Sequence, residues 1–173
     1  MAPPRPVPRD VGIRDAVFED VAALRDFRCA VPGEPWTIAP EILVTSSVPH
    51  WIGLPDVLIL VAETSVRIVG VIAVHLDPLE RGAWVSEVLA VVPDRRREYI
   101  GFNLKRAALQ RVVSLGGSVV TSEVDEHNIA MRRCNDCFDA ASAPSRDEPE
   151  FLLTAVRVGH GKTPGAEISA PDS

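Results

Sequence analysis

Leu89-Ala90-Val91-Val92-Pro93-Asp94-Arg95-Arg96-Arg97-Glu98-Tyr99-Ile100-Gly101-Phe102-Asn103-Leu104 is the stretch on which the fold turns. Its first four residues are apolar and suit a strand, and Pro93 ends that strand because proline cannot donate to a sheet ladder. After Gly101 the period changes. Leu104, Ala108, Val112 and Leu115 recur at helical spacing up to Gly116-Gly117, the residue type that a helix C-terminus favours. The first turn of such a helix offers N–H groups without helical partners and the positive end of the helix dipole, which suits a pyrophosphate. Arg95, Arg96 and Arg97 add positive charge beside it. The alternative reading is a plain strand–loop–helix junction with solvated arginines.

Upstream of this stretch, residues 83–92 form one strand, Val57-Leu58-Ile59-Leu60-Val61-Ala62-Glu63 a second, and Ile68 to Leu76 a third, the last two making a hairpin. Val11-Gly12-Ile13-Arg14 alternates as a short first strand. A helix is predicted from Phe18 to Cys29, with Phe18, Val21, Leu24 and Phe27 at helical spacing and Glu19 and Asp20 in its first turn. Residues 31–55 contain five prolines and resist assignment, though Pro40 suits the opening of a short helix. Downstream, Ser118 to Val124 reads as a strand, Asn128 to Phe138 as a helix and Phe151 to Val158 as a last strand. The order predicts an α/β (α+β) domain over 11–158, with a mostly antiparallel sheet and one crossover. Residues 1–10 are a Pro-rich tail and 159–173 a second tail.

The segment resembles the acyl-CoA-binding motif of the GNAT superfamily of N-acyltransferases. In that motif an Arg or Gln is followed three residues later by Gly and two after that by Gly or Ala. Arg96 falls on the first position and Gly101 on the last, while Tyr99 stands where the middle glycine belongs. Leu89 to Asp94 is similar to the superfamily's fourth strand and its exit. Asn128-Ile129-Ala130-Met131-Arg132-Arg133-Cys134-Asn135 is similar to an Asn-x-x-Met-x-x-x-Asn block of one subgroup. The resemblance implies a mixed sheet flanked by about four helices, acetyl-CoA as co-substrate, and an acetyl group passed directly to a primary amine. It implies cofactor contacts at Leu89, Ala90, Val91, Arg96, Arg97, Tyr99, Gly101, Phe102 and Asn128. An oxyanion would be held by a backbone N–H near Val91. Asn135 occupies the place where many relatives carry a tyrosine that protonates the leaving thiolate, and an amide does not titrate at neutral pH.

Amine acylation needs a group that removes a proton from the acceptor. Glu87 is the acid of choice. Strand alternation puts it on one face with Val85, Leu89 and Val91, where partial desolvation raises a carboxylate's pKa. The resemblance also implies an acidic residue at this place on this strand. The alternative is a strand glutamate facing solvent or an arginine.

Other features exclude more than they assign. The 173 residues fit one domain, and 46% apolar content with only 5% aromatics implies an aliphatic core. A formal net charge of -6 argues against nucleic acid as partner. No apolar run approaches the ~18 residues of a membrane span, and residues 1–10 lack the apolar segment of a secretory signal, so a cytoplasmic location is expected. Cys134-Asn135-Asp136-Cys137 has no second ligand pair at zinc-site spacing, so no metal is expected. His75 ends a strand and could reach a cleft, and the resemblance, which implies that the 31–55 segment overhangs the acceptor site, allows Trp36 and Trp51 as an aromatic wall there; surface or packing roles are open to all three. The expected partner is a small-molecule or peptide amine, with a homodimer possible. The rival to an active enzyme is a degenerate, non-catalytic domain that binds acyl-CoA or a protein.

Overall fold

The valine-rich runs form the centre of a seven-stranded sheet of order β1-β2-β3-β4-β5-β7-β6. The computed structural model describes residues 6–145 and 150–158. Its strands are β1 Gly12–Asp15, β2 Val57–Glu63, β3 Ile68–Leu76, β4 Ala83–Val91, β5 Val119–Asp125, β6 Ala141–Pro144 and β7 Phe151–Arg157. Neighbours pair antiparallel except β4 and β5, which run parallel because the crossover between them is a long helix. The α segments are α1 Val21–Arg25, α2 Ile38–Ile42, α3 Val48–Trp51, α4 Ile100–Ser114 and α5 Ile129–Asp136. A π-helical turn, Leu43–Ser47, joins α2 to α3. Four helical units therefore flank a mostly antiparallel mixed sheet, the expected architecture.

α4 lies against one face of the sheet. Gly70 on β3 makes this approach possible, since a Cβ there would stand 2.9 Å from Leu104 Cδ1 and 3.1 Å from Ile100 Cγ2. Ile100, Leu104, Ala108 and Val112, spaced four apart, are all buried and join the β-sheet aliphatics in one core. The α2–α3 run packs elsewhere on the core through Val44 and Val48, both without solvent exposure.

Three local expectations are corrected. The helix predicted over 18–29 is α-helical only over Val21–Arg25, preceded by a 3-10 turn. The chain beyond Asp26 is captured from outside: the Glu41 carboxylate accepts from Cys29 and Ala30 N–H, and Arg96 donates to the Cys29 carbonyl. Pro40 does not open its helix. Pro35 opens a 3-10 turn that runs into α2, and Pro40 sits within the first turn, where its missing N–H costs nothing. β6 was not anticipated, because Ala-Ser-Ala-Pro has little strand preference; it forms by backbone pairing with β7 at an edge, where proline is tolerated. In the expected N-terminal tail, Pro8 O accepts from Val11 N–H and Asp10 pairs with Arg95. Residues 1–5 and the expected tail 159–173 lie outside the described residues.

Candidate active site

β4 and β5 pair at only three positions, Ala83↔Val119, Trp84↔Val120 and Val85↔Thr121. Beyond Val85 the two strands part and leave a cleft. Val92 N–H donates to Val69 O on β3. Backbone N–H groups alternate in direction along a strand, so those of Val91 and Leu89 point into the cleft. Their side chains close on the start of α4: a Cβ added at Gly101 would meet Val91 Cγ2 at 3.6 Å and Leu89 Cδ2 at 4.0 Å. Leu89, Val91 and Gly101 are thus brought together. Ala90 is buried, and Phe102 is buried in a stack on Phe138 with centroids 4.9 Å apart, so only its backbone is available to a ligand.

At the end of the cleft the loop 92–99 turns the chain onto α4. Two of its residues, Arg97 (φ 68°) and Tyr99 (φ 61°, ψ 13°), are left-handed. Tyr99 therefore adopts the conformation for which glycine is the default residue, at a cost of ~1–2 kcal/mol for an L side chain. Its carbonyl is held twice by Asn103, by the backbone N–H at 3.0 Å and by Nδ2 at 2.9 Å. Asn103 is buried, and its Oδ1 has no partner among the described residues. The Tyr99 side chain is exposed, and the N–H groups of Ile100, Gly101 and Phe102 have no acceptor inside the helix.

The three arginines divide. Arg95 pairs with Asp10 and Glu98. Arg96 reaches back to Glu34 at 2.9 Å, Cys29 O at 2.7 Å and Val91 O at 3.3 Å, tying the segment after α1 to the end of β4. Arg97 is exposed and forms no ion pair among the described residues. Positive charge beside the helix start therefore rests on Arg97 alone, and the expected three-arginine field is reduced by two. A pyrophosphate fits this loop: the first turn of α4 offers backbone donors without helical acceptors, and Arg97 has no ion-pair partner among the described residues.

Lower on β4, Val74 pairs with Ser86 and Ala73 with Val88, so Glu87 is the extra residue of a β-bulge. The bulge breaks the alternation that would place Glu87 with Leu89 and Val91. Glu87 turns instead to the side of Val85 and of His75, its cross-strand neighbour, opposite the face closed by α4. His75 Nε2 lies 2.8 Å from Glu87 Oε1, and His75 Nδ1 lies 2.9 Å from Leu76 O. A carbonyl can only accept, so Nδ1 carries a proton, and Nε2 meets the carboxylate as a donor only when the ring is an imidazolium. Burial alone would lower the His75 pKa. The hydrogen bonds to Leu76 and Glu87, with the charges of Glu87 and Asp77, outweigh it and hold the pKa above the ordinary histidine value. Glu87 is not enclosed by apolar groups as expected: its side chain is 38% exposed and its carboxylate meets an imidazole. Together the two residues end a pocket of about 260 Å³ lined otherwise by Trp51, Leu54, Val57, Ala73 and Val74.

The two asparagines of α5 each bond within the fold. Asn128 is its N-cap, with Oδ1 accepting from Met131 N–H at 3.0 Å. Asn135 is 1% exposed. Its Oδ1 accepts from the buried Lys105 ammonium and its Nδ2 donates to Thr154 Oγ1, which in turn donates to Ser122 O, one residue beyond the last β4–β5 pair. Burial pushes the Lys105 pKa down. Among the described residues no cluster of His, Cys, Asp or Glu could hold a metal ion, and no helix is long and apolar enough to cross a membrane.

The sequence left His75 and Trp51 open between a cleft and a surface or packing role, and gave Asn103 and Lys105 no role. Hairpin register carried a signal for the first, since a β3–β4 pairing sets His75 opposite Val85. Polar residues interrupting the helical run of α4 flagged the last two, without saying what they bond.

Residues 21–135 match the Acetyltransferase (GNAT) family. No curated protein matches the chain in sequence. Among solved structures, the ribosomal-protein-S18-alanine N-acetyltransferase from Escherichia coli is similar with a TM-score of 0.68 at 14% identity, over 91% of this chain and 99% of that one. The PaiA N-acetyltransferase from Thermoplasma acidophilum, in complex with coenzyme A, gives 0.67 at 13% identity over 85% and 98%. A GNAT-family acetyltransferase from Staphylococcus aureus Mu50 gives 0.70 at 11% identity over 86% and 99%. At these identities the likeness is one of fold.

Proposed function

The chain belongs to the Acetyltransferase (GNAT) family, and on that premise we propose that it transfers an acetyl group from acetyl-CoA to a primary amine of a small molecule or peptide by direct attack. The observation that carries this reading is the layout of β4, which holds an acid–base pair at its bulge and leads into an open helix N-terminus at its end. The backbone donors of Ile100, Gly101 and Phe102, with Arg97, hold the pyrophosphate. The pantetheine arm follows the cleft along Leu89 and Val91, where the strand's unpaired N–H groups meet its amides and, nearest the thioester, the developing oxyanion. A neighbour of the same fold bound to coenzyme A supports that cofactor class.

Glu87 and His75 manage the proton. In the resting pair His75 is an imidazolium, with its Nδ1–H on Leu76 O and its Nε2–H on the Glu87 carboxylate. An arriving ammonium brings a second cation to the Glu87 carboxylate, and His75 releases its proton to water. The pair then accepts a proton from the ammonium, the free amine attacks the thioester carbonyl, the C–S bond breaks with its electron pair on sulfur, and the nitrogen gives up its second proton to water. Asn135 is no proton donor, so the thiolate is protonated from water.

Calorimetric titration with acetyl-CoA tests the cofactor half of the reading. Saturable one-to-one binding, weakened several-fold in Arg97→Ala, is expected. No binding at millimolar cofactor would reduce the chain to a non-catalytic relative.

A further inference from the structure

We propose that the acceptor is a small monoamine with a compact apolar frame, its ammonium at the Glu87–His75 pair and its carbon frame against Trp51, Leu54 and Val57. The inference rests on the acyl-transfer reading for the identity of the pocket and goes beyond it in naming the substrate class.

Three observations carry it. First, among the described residues the lining apart from Glu87 and His75 is wholly hydrocarbon or aromatic, and Glu87 is its one carboxylate. A single ammonium is neutralised there. Any further cationic group within the pocket would be stripped of water against Trp51 and Leu54 with no counter-ion, which costs heavily. Asp77, next to His75 in the chain, does not line the pocket, and its Oδ1 accepts from Leu79 N–H at 2.8 Å. Second, Leu54 is 47% exposed although it borders the pocket. A ligand's apolar group would remove that surface from water, which is the usual driving force for such a site. Third, the volume of about 260 Å³ lies below the ~300–1,000 Å³ of pockets for drug-sized ligands, too small for a trisaccharide and ample for a ring or branched chain of a few carbons.

The chemistry balances without further reagents. The ammonium gives up one proton through Glu87 and His75, the free amine nitrogen forms a bond to the acetyl carbon, the C–S bond breaks with its electron pair on sulfur, and the nitrogen's second proton passes to water while the thiolate takes one from water. The product is a neutral amide, which loses its attraction to Glu87 and leaves.

The test uses the full chain with acetyl-CoA and a panel of amines: 2-phenylethylamine, 3-methylbutylamine, spermidine, an aminoglycoside and a lysine-containing peptide. Thiol release is followed, and binding of each amine is measured separately by calorimetry with and without coenzyme A. The two apolar monoamines are expected to show kcat/KM at least about tenfold above the others, a discrimination within reach of a hydrophobic pocket. Trp51→Ala is expected to raise their KM about tenfold while leaving the KM for acetyl-CoA unchanged. Preference for a polycation or the peptide would overturn the proposal, as would apolar amines that neither bind nor respond to Trp51→Ala. Failure to bind acetyl-CoA would sink the acyl-transfer reading instead, while amine binding without coenzyme A would still report on the pocket.

Discussion

The two ends of β4 address charge in opposite ways. At its C-terminal end, past Val92, an anion would be met by backbone: N–H groups of a helix start, with Arg97, which has no ion pair among the described residues, while Arg95 and Arg96 are tied up in structure. At its bulge a cation would be met by side chains, Glu87 and His75, on the opposite face of the sheet. Backbone sites depend on φ and ψ and tolerate side-chain change as long as the turn is held. Side-chain sites depend on one carboxylate and fail when it is lost. If that contrast is right, substitutions at the two ends should separate binding from turnover.

The largest effect is expected at the bulge. Glu87→Gln keeps the side chain's size and removes the charge that receives the ammonium, so turnover should fall at least about tenfold, with the dissociation constant for acetyl-CoA unchanged. Steady-state kinetics and a cofactor titration on the same preparation read both quantities. A loss of cofactor affinity in this variant would mean that the two ends are not independent.

At the loop end the expected effects are smaller and concern stability. Asn103→Ala removes one of the two bonds to the Tyr99 carbonyl and should lower stability by about 1 kcal/mol, weakening acetyl-CoA as the turn relaxes. Tyr99→Gly should act the other way. Relief of ~1–2 kcal/mol of left-handed strain is offset by about 0.5–1 kcal/mol of extra chain entropy, leaving a small gain in a denaturant melt. A Tyr99→Gly protein less stable than the parent would show that the tyrosine ring contributes more than its backbone costs.

What the sequence made legible follows the same division. β2, β3, β4 and α4 were readable because apolar runs and a four-residue stripe are local patterns, and the loop end was readable because its motif is local as well. Which residue replaces glycine could be read at Tyr99, but not that it keeps glycine's φ, which depends on bonds from Asn103. The bulge end was half legible. Glu87 could be picked out as an acid on β4, yet its face was misassigned, because one extra residue inverts the alternation and only pairing with β3 reveals it. The early end of α1 was hidden for a similar reason: its captors, Glu41 and Arg96, lie 12 and 67 residues from Cys29.

Between the two ends, one helical turn after Gly101, Lys105 is buried with an amide for partner. Its pKa is lowered in the fold by burial, so the unfolded chain binds more protons in the window from that lowered value up to about 10.5, and stability rises with pH there. Lys105→Met should remove this rise. At pH 7 the variant should gain no more than about 1 kcal/mol, since it leaves Asn135 Oδ1 without its donor. Urea melts at pH 7 and pH 10 for both proteins give the comparison, and equal pH slopes would mean that the ammonium is solvated after all.

The smallest effect belongs to the pair itself. His75 has its pKa raised in the fold, so its contribution to stability is fully present below the unfolded value of about 6.5 and is lost as pH climbs through the higher folded value. The pair is about one-third exposed, and solvent screening should hold the change to a few tenths of a kcal/mol. The stability difference between the parent and His75→Gln should therefore be largest near pH 6 and shrink by pH 9. Turnover should show the opposite trend, rising over the same interval as His75 gives up its proton and the pair becomes free to take one from the acceptor. A difference that grows with pH would mean that His75 is neutral in the resting protein, and Glu87 would then work without it.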